Sequence, residues 1–297
     1  MQVLNAARYN AGMNPRPPIV TLLTDFGEND SYVGAMKGVL LSIVPNAKLI
    51  DISHQVGPQD VQQAAGILSA VYKYYPPHTV HLVVVDPGVG TSRRPIALQT
   101  GRGRFVAPDN GVLTHILRKA ESWQAVALEN PDYWLPDPSQ TFHGRDIFSP
   151  VAAHLAAGVP LSDLGPAVDD LVTIQIPPLA RVPGGVKGEV VRIDHFGNVL
   201  TNIQSLTWVE DTTLEFKPPD ERLTLPEPIR FASGEARVTF SWRTLEGIRR
   251  TYGEAHTGDT LALVGSAGEL EISVNQGNAA DKLAIQVGDP VTLMFER

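Results

Sequence analysis

His81–Arg94, HLVVVDPGVGTSRR, is the stretch from which the chain is best read. Val80, Leu82, Val83, Val84 and Val85 form a nearly unbroken apolar run. A run without polar alternation suits a strand covered on both faces, the habit of parallel sheets. It stops at Asp86-Pro87-Gly88-Val89-Gly90. Open α/β sheets bind ligands just beyond the carboxyl ends of their strands, and glycines there let backbone approach a ligand closely. Asp86 thus stands at a candidate site, with Arg93 and Arg94 close behind. The same residues also make an ordinary strand-to-turn transition, since Asp is a turn former. The rest of the chain decides between the two.

On the N-terminal side, Ile19–Thr24, IVTLLT, reads as a second buried strand ending at Asp25-Phe26-Gly27. Polar residues Glu28 to Ser31 lead into a helix from about Tyr32 to Val44, with Val33, Met36, Val39, Leu40 and Ile43 at helical spacing. Lys48–Ile52 is a short strand followed by Ser53-His54. Asp60 can cap a helix carrying Val61, Ala64, Leu68 and Val71 on one face. This β-α-β-α-β order predicts an α/β domain with a mostly parallel sheet and right-handed crossovers. Acidic residues recur at strand ends: Asp25, Asp51 and Asp86. Three such carboxylates suggest a polar ligand across the carboxyl edge of the sheet.

On the C-terminal side, Ile96–Leu98 and Arg104–Ala107 look like further strands, and Asp109-Asn110 like turn and cap residues before a short helix. Glu121–Pro138 reads as irregular. Thr141-Phe142-His143-Gly144-Arg145-Asp146 precedes a helix with Phe148, Val151, Ala152 and Leu155 inward, which leaves His143 well placed for chemistry. Three prolines and two glycines between Ile176 and Lys187 read as a linker. Beyond it come short alternating runs without a helical stripe, the pattern of an antiparallel barrel or sandwich. The expected organisation is a flexible tail over 1–17, an α/β domain over 18–176, a linker over 177–187 and a β domain over 188–297. Two loop clusters in the second half stand out: Asp194-His195-Phe196-Gly197-Asn198 and Gly265-Ser266-Ala267-Gly268, the latter with Asn275-Gln276-Gly277-Asn278 nearby. Phe196 could stack on a flat heterocycle while amides bond to its edge. Taken alone, these clusters read as hairpin turns.

Composition narrows the function. The 297 residues are 43% hydrophobic and 19% charged, ordinary for a globular protein long enough for two domains. The net charge of -8 comes without any basic run, which argues against nucleic acid and anionic membrane as partners. With no cysteine in the chain, disulfides, thiolate nucleophiles and Cys-bound metals are excluded. No apolar stretch reaches the roughly 18–20 residues of a membrane span. The N-terminus lacks the apolar core of a signal peptide, so a cytoplasmic protein is expected. There is no dinucleotide-binding GxGxxG, no P-loop, no HExxH and no GxSxG. Asp51 with His54 is only a weak metal-type pair, and no metal site is expected.

Seven blocks, taken in order, resemble one family: TLLTDFG with DSYVGAMKG, DISHQV, VVVDPGVGTSRRPIA, FVAPDNGVLT, TFHGRDIFSPVAAHLA, IDHFGNVLTNI and SVNQGNAA. They are similar to the S-adenosyl-L-methionine (SAM) hydroxide adenosyltransferases, the adenosine-forming SAM hydrolases, which are related to the SAM-dependent fluorinase and chlorinase. The blocks run from about residue 19 to 280, nearly the whole chain. The resemblance implies an N-terminal α/β domain joined to a C-terminal β-barrel. It implies a homotrimer, with SAM held between one subunit's N-terminal domain and a neighbour's C-terminal domain. The family's Asp-Arg-His set falls on Asp86, Arg93 and His143. The halogenases place Tyr where this chain has Asp86, which favours hydrolysis. By the same resemblance Asp25 holds the ribose hydroxyls. Asp30 and Asp194 lie near the methionine end, and Phe196, Asn198, Tyr252, Ser266, Val274 and Asn275 around the methionine and adenine ends. The fluorinase has Arg at the position of Ala267, so one carboxylate contact differs here. SAM is the substrate, and no cofactor is implied.

The implied reaction is attack of water or hydroxide on ribose C5′. The sulfonium leaves as a neutral thioether, so no acid and no metal are required. The obstacle is the nucleophile, because free water has a pKa of about 15.7. His143 could accept a proton, Asp86 could orient His143 or the water, and Arg93 could favour hydroxide by its charge. Which group takes the proton stays open at this level.

Overall fold

Covered on both faces, a central strand can be apolar at nearly every position, and Val80–Val84, apolar but for His81, is such a strand. The computed structural model describes residues 16–217 and 228–295. Most of the tail expected over 1–17 lies outside the described residues. The chain forms two compact units, which meet in sequence at Ile174 and Gln175.

The N-terminal unit contains β1 (Ile19–Thr24), α1 (Tyr32–Ile43), β2 (Lys48–Ser53), α2 (Val61–Val71), β3 (Val80–Val84), β4 (Pro95–Thr100), β5 (Gly103–Pro108), α3 (Thr114–Lys119), β6 (Trp123–Ala127), α4 (Ser149–Ala156) and β7 (Ala167–Val168). Its sheet runs β2-β1-β3-β5-β4-β6-β7. The β2-β1-β3-β5 half is parallel, and β4, β6 and β7 pair antiparallel beyond it. Leu82 and Val84 pack with α1 and α4 on one face, while Val83 and Val85 pack with α2 and α3 on the other. Burying each of these side chains is worth about 1.5–3 kcal/mol relative to exposure. Asp60 caps α2, its carboxylate accepting from the Gln63 N–H at 2.8 Å. Residues 121–138, expected to be irregular, hold β6. Their three prolines all lie downstream of that strand, so they do not interrupt its pairing with β4.

The C-terminal unit contains β8 (Ala180–Val182), β9 (Gly185–Ile193), β10 (Val199–Thr201), β11 (Leu206–Trp208), β12 (Thr213–Phe216), β13 (Ile229–Ala232), β14 (Arg237–Phe240), β15 (Arg243–Glu246), β16 (Ile248–Arg249), β17 (Thr260–Val264), β18 (Leu270–Val274), α5 (Ala279–Leu283) and β19 (Pro290–Met294). The sheet β15-β14-β19-β9-β10-β18-β17-β16 curls into a barrel-like wall, and β11-β12-β13 form a small second sheet. Period-two alternation sends Val186, Val190, Val238, Ile272 and Leu293 into one core. The segment expected to be a linker is instead part of this unit. Ala180–Val182 pairs antiparallel with the start of β9, and Pro183-Gly184 forms the turn. Pro177 and Pro178 precede the hairpin and Pro183 sits in its turn, so none interrupts the pairing. The short helix α5 had no stripe long enough to read, and the Asn278 side chain caps it by accepting from the Asp281 N–H at 3.0 Å.

Candidate active site

Two side chains of the expected Asp-Arg-His set come from the β3–β4 loop and the third from the segment before α4. Asp86 follows β3, where the apolar run ends. Arg93 closes the loop that leads to β4. His143 precedes a single π-helical turn, Gly144–Phe148, which runs into α4. Such turns concentrate at functional sites. Gly90 makes the meeting of these segments possible. At φ +75°, it passes so close to the 140–143 segment that a Cβ there would stand 2.6 Å from the Gln140 carbonyl oxygen.

Arg93 is the hub. Its Nε donates to Asp86 Oδ1 at 2.9 Å, its Nη2 donates to Asp86 Oδ2, and Nη2 also reaches His143 Nδ1 at 3.1 Å. The Asp86 and Arg93 side chains are 5% and 8% exposed, so this bidentate pair is desolvated, the condition in which such contacts are strong. The guanidinium also lies over the Phe148 ring, 5.1 Å from its centroid. Arg93 Nη1 is buried and carries no hydrogen-bond partner. A guanidinium only donates, so His143 Nδ1 must accept. The neutral imidazole then carries its proton on Nε2. Burial lowers the His143 pKa, and the Arg93 charge lowers it further against the opposing pull of Asp86 and Asp146. The ring is thereby biased to the neutral state.

Asp25 follows β1. Its Oδ2 accepts from the Gln59 N–H at 2.8 Å. Asp30 is exposed just before α1. Phe26, Tyr32 and Phe142 form an aromatic trio with centroids 5.1–5.9 Å apart, the two contacts to Phe142 edge-on. Together with Ser139, Thr141 and Arg145 they line a cavity of about 330 Å³.

In the C-terminal unit, Asp194 builds the turn after β9. Its Oδ1 accepts from the Phe196 and Asn198 N–H groups, both at 2.9 Å, and its Oδ2 accepts from Asn198 Nδ2 at 3.0 Å. Gly197, at φ +83°, leaves no room for a side chain, because a Cβ would stand 2.1 Å from the Asn278 amide. The turn leaves Phe196 74% exposed, a ring available for stacking. Asn198 Nδ2 also lies 3.5 Å from the Tyr252 hydroxyl, which donates to Glu271 Oε1 at 2.5 Å. Burial first, and Glu271 next, push the Tyr252 phenol up to about 12.

Both halves of the chain match one family. Residues 20–165 match the SAM hydroxide adenosyltransferase N-terminal domain, and residues 188–292 match the C-terminal domain. The chain belongs to the SAM hydroxide adenosyltransferase family. It is 40% identical over 275 residues to the (R)-S-adenosyl-L-methionine hydrolase of Salinispora tropica, across 92% of this chain and 96% of that one. The hydrolase of the same name from Thermus thermophilus is 38% identical over 287 residues, across 93% and 99%. A fluorinase of Actinoplanes sp. is 32% identical over 213 residues, across 63% and 72%. The crystal structure of an uncharacterized conserved protein from Thermotoga maritima aligns with a TM-score of 0.79 at 37% identity, across 93% of this chain and 99% of that one.

Against the family's expected site, the structure brings both Asp86 and His143 into direct contact with Arg93. It also brings together Asp194, Asn198 and Tyr252. Ser266 is exposed in its turn, and Asn275 Nδ2 donates to the Ala255 carbonyl at 2.8 Å. Val274 lies on the inward-facing parity of its strand. Period two on β18 sends its side chain into the barrel core with Leu270 and Ile272, and it is only 4% exposed. Its carbonyl is taken by the Gly277 N–H at 3.0 Å. The opposite parity carries Glu271 and Ser273, which meet at 2.7 Å. Sequence reading missed Glu271, although an acid and a serine two apart in an apolar strand were the available signal. Among the described residues, no group of three or more His, Asp or Glu side chains is placed to hold a metal ion. No helix among them is long and apolar enough to cross a membrane.

Proposed function

We propose that this protein hydrolyses SAM to adenosine and L-methionine, as a cytoplasmic homotrimer whose sites lie between subunits. The observation that carries the reading is the buried Arg93 holding Asp86 and His143 at once. Asp86 is fully engaged by Arg93, and the basic nitrogen of His143 faces the same guanidinium. None of the three is therefore a free base. What they offer an incoming oxygen is the positive charge of Arg93 and a donor, His143 Nε2–H. Such groups favour hydroxide over water at the same position.

In the proposed step the oxygen–C5′ bond forms as the C5′–sulfur bond breaks. The electron pair goes to sulfur, the sulfonium becomes a neutral thioether, and the water proton leaves to solvent. A desolvated pocket assists, because the substrate loses its charge on the way to products. Asp25 holds the ribose diol, and Asp30 and Asp194 face the methionine end. Phe196, Asn198, Tyr252, Ser266 and Asn275 surround the methionine and adenine ends, with Val274 limited to main-chain contact. Neither metal nor cofactor enters the scheme.

The test is incubation with SAM in halide-free, EDTA-containing buffer made with oxygen-18 water, read by mass spectrometry. Because the relatives are named for the (R) form, both sulfonium epimers are assayed. Adenosine carrying one oxygen-18, with equimolar methionine, is expected. Bound but unchanged SAM, or a 5′-halo product formed only when halide is added, would overturn the proposal.

A further inference from the structure

Beside the Asp25 turn lies a chain of polar groups with no part in the step above, buried at Thr24 and His54 and reaching solvent at Asp51 and Lys37. His54 is 4% exposed, yet both ends of its ring meet polar atoms. Nδ1 is 2.8 Å from the Thr24 hydroxyl. Nε2 lies 3.0 Å from Asp51 Oδ1, off the line of a hydrogen bond. Asp51 Oδ2 in turn accepts from Lys37 Nζ at 2.6 Å. An apolar side chain would fill this space without the desolvation that a buried imidazole costs.

The contacts of His54 converge on one short turn. The Thr24 hydroxyl, which His54 touches, accepts from the Phe26 N–H at 3.3 Å. The His54 carbonyl accepts from the Gly27 N–H at 2.8 Å. Asp25 sits between these anchors, and its Oδ2 is fixed by the Gln59 N–H from the loop that follows His54. Residues 54–59 thus hold the Asp25 turn from both sides and also hold its carboxylate.

We infer that His54, kept in place by the Lys37–Asp51 pair, is a positioning residue for Asp25 and so sets the affinity of the nucleoside end of the substrate. The inference rests on the reading of Asp25 as the ribose ligand. It predicts a binding defect without a chemical one. Removing ground-state and transition-state binding together raises KM and leaves kcat unchanged.

The experiment compares His54→Ala, His54→Asn, Asp25→Ala and the His54→Ala/Asp25→Ala double variant, with SAM as substrate and thermal unfolding as the check on folding. His54→Ala is expected to raise KM roughly five- to tenfold, the loss of about one well-placed hydrogen bond, with kcat within about twofold of wild type. Asn keeps a polar atom near the Nδ1 position, so His54→Asn should recover most of the affinity. In the Asp25→Ala background, His54→Ala should add nothing, because the group it positions is gone. If His54→Ala does not fold, Thr24→Val cuts the same link with the same expectations. An unchanged KM in these variants, or an equal rise with and without Asp25, would overturn the inference and leave the ribose reading standing. An unchanged KM in Asp25→Ala itself would overturn both.

Discussion

Arg93 Nη2 meets His143 at Nδ1, 3.1 Å away, so the imidazole presents its acceptor nitrogen to the guanidinium and its N–H elsewhere. A histidine arranged this way has only its Nε2–H left to offer, because its basic nitrogen is already engaged.

The first prediction follows from that geometry. Asp86→Ala, Arg93→Ala and His143→Ala should each lower kcat by roughly 100-fold or more, the cost of losing a preorganised electrostatic group, while SAM affinity changes far less. His143→Gln can still accept from Arg93 and donate onward, so it should retain at least tenfold more turnover than His143→Ala. Equal inactivity of the Gln and Ala variants in steady-state assays would make His143 a proton acceptor after all.

A second prediction concerns acid. Burial and Arg93 hold the His143 pKa below its ordinary value of 6.5. On the acid side of that lowered value the ring gains a proton on Nδ1 and faces Arg93 donor to donor. Around neutral pH, turnover should not vary with the protonation of His143, and it should fall only on the acid side of 6.5. A kcat–pH profile breaking above neutrality on the acid limb would contradict this.

Stability should carry a separate acid signature from His81. This ring is fully buried in β3, 2.8 Å from the Thr21 hydroxyl and stacked on Phe105 at 5.0 Å. Burial lowers its pKa from 6.5 to about 4. The unfolded chain binds a proton below 6.5 that the folded chain refuses until about 4, so stability falls as pH drops through that window. The loss approaches roughly 3 kcal/mol, at about 1.4 kcal/mol per pKa unit. Urea unfolding at neutral and acid pH should show His81→Leu losing less between the two than wild type. Parallel slopes would refute it.

Gly90→Ala tests the close approach that assembles the site. A methyl group there meets the Gln140 carbonyl in a left-handed conformation. Strain of this kind costs about 1–3 kcal/mol unless the loop shifts, and a shift separates Arg93 from His143. A lower melting temperature, a lower kcat, or both are expected. A variant matching wild type in both measurements would show that the approach is not needed.

The α/β class was legible because a doubly covered strand must be apolar throughout, and HLVVVD says so without any neighbour present. The helices α1 and α2 were legible from stripes that repeat locally, and the alternating second half was legible as antiparallel β structure. The hairpin at 180–187 was not, because prolines mark a turn and a linker alike and only pairing with β9 distinguishes them. Asp86, Arg93 and His143 were each visible as residues in suggestive places. The Arg93–His143 contact spans 50 positions of sequence, and no local pattern encodes which nitrogen of His143 meets Arg93. Val274 and Glu271 show the same division from the other side. Both lie on a strand that the sequence marks plainly, but which parity faces the core is decided by the sheet around it. Local periodicity belongs to the chain alone, whereas facing, pairing and hydrogen-bond direction arise only when distant segments pack.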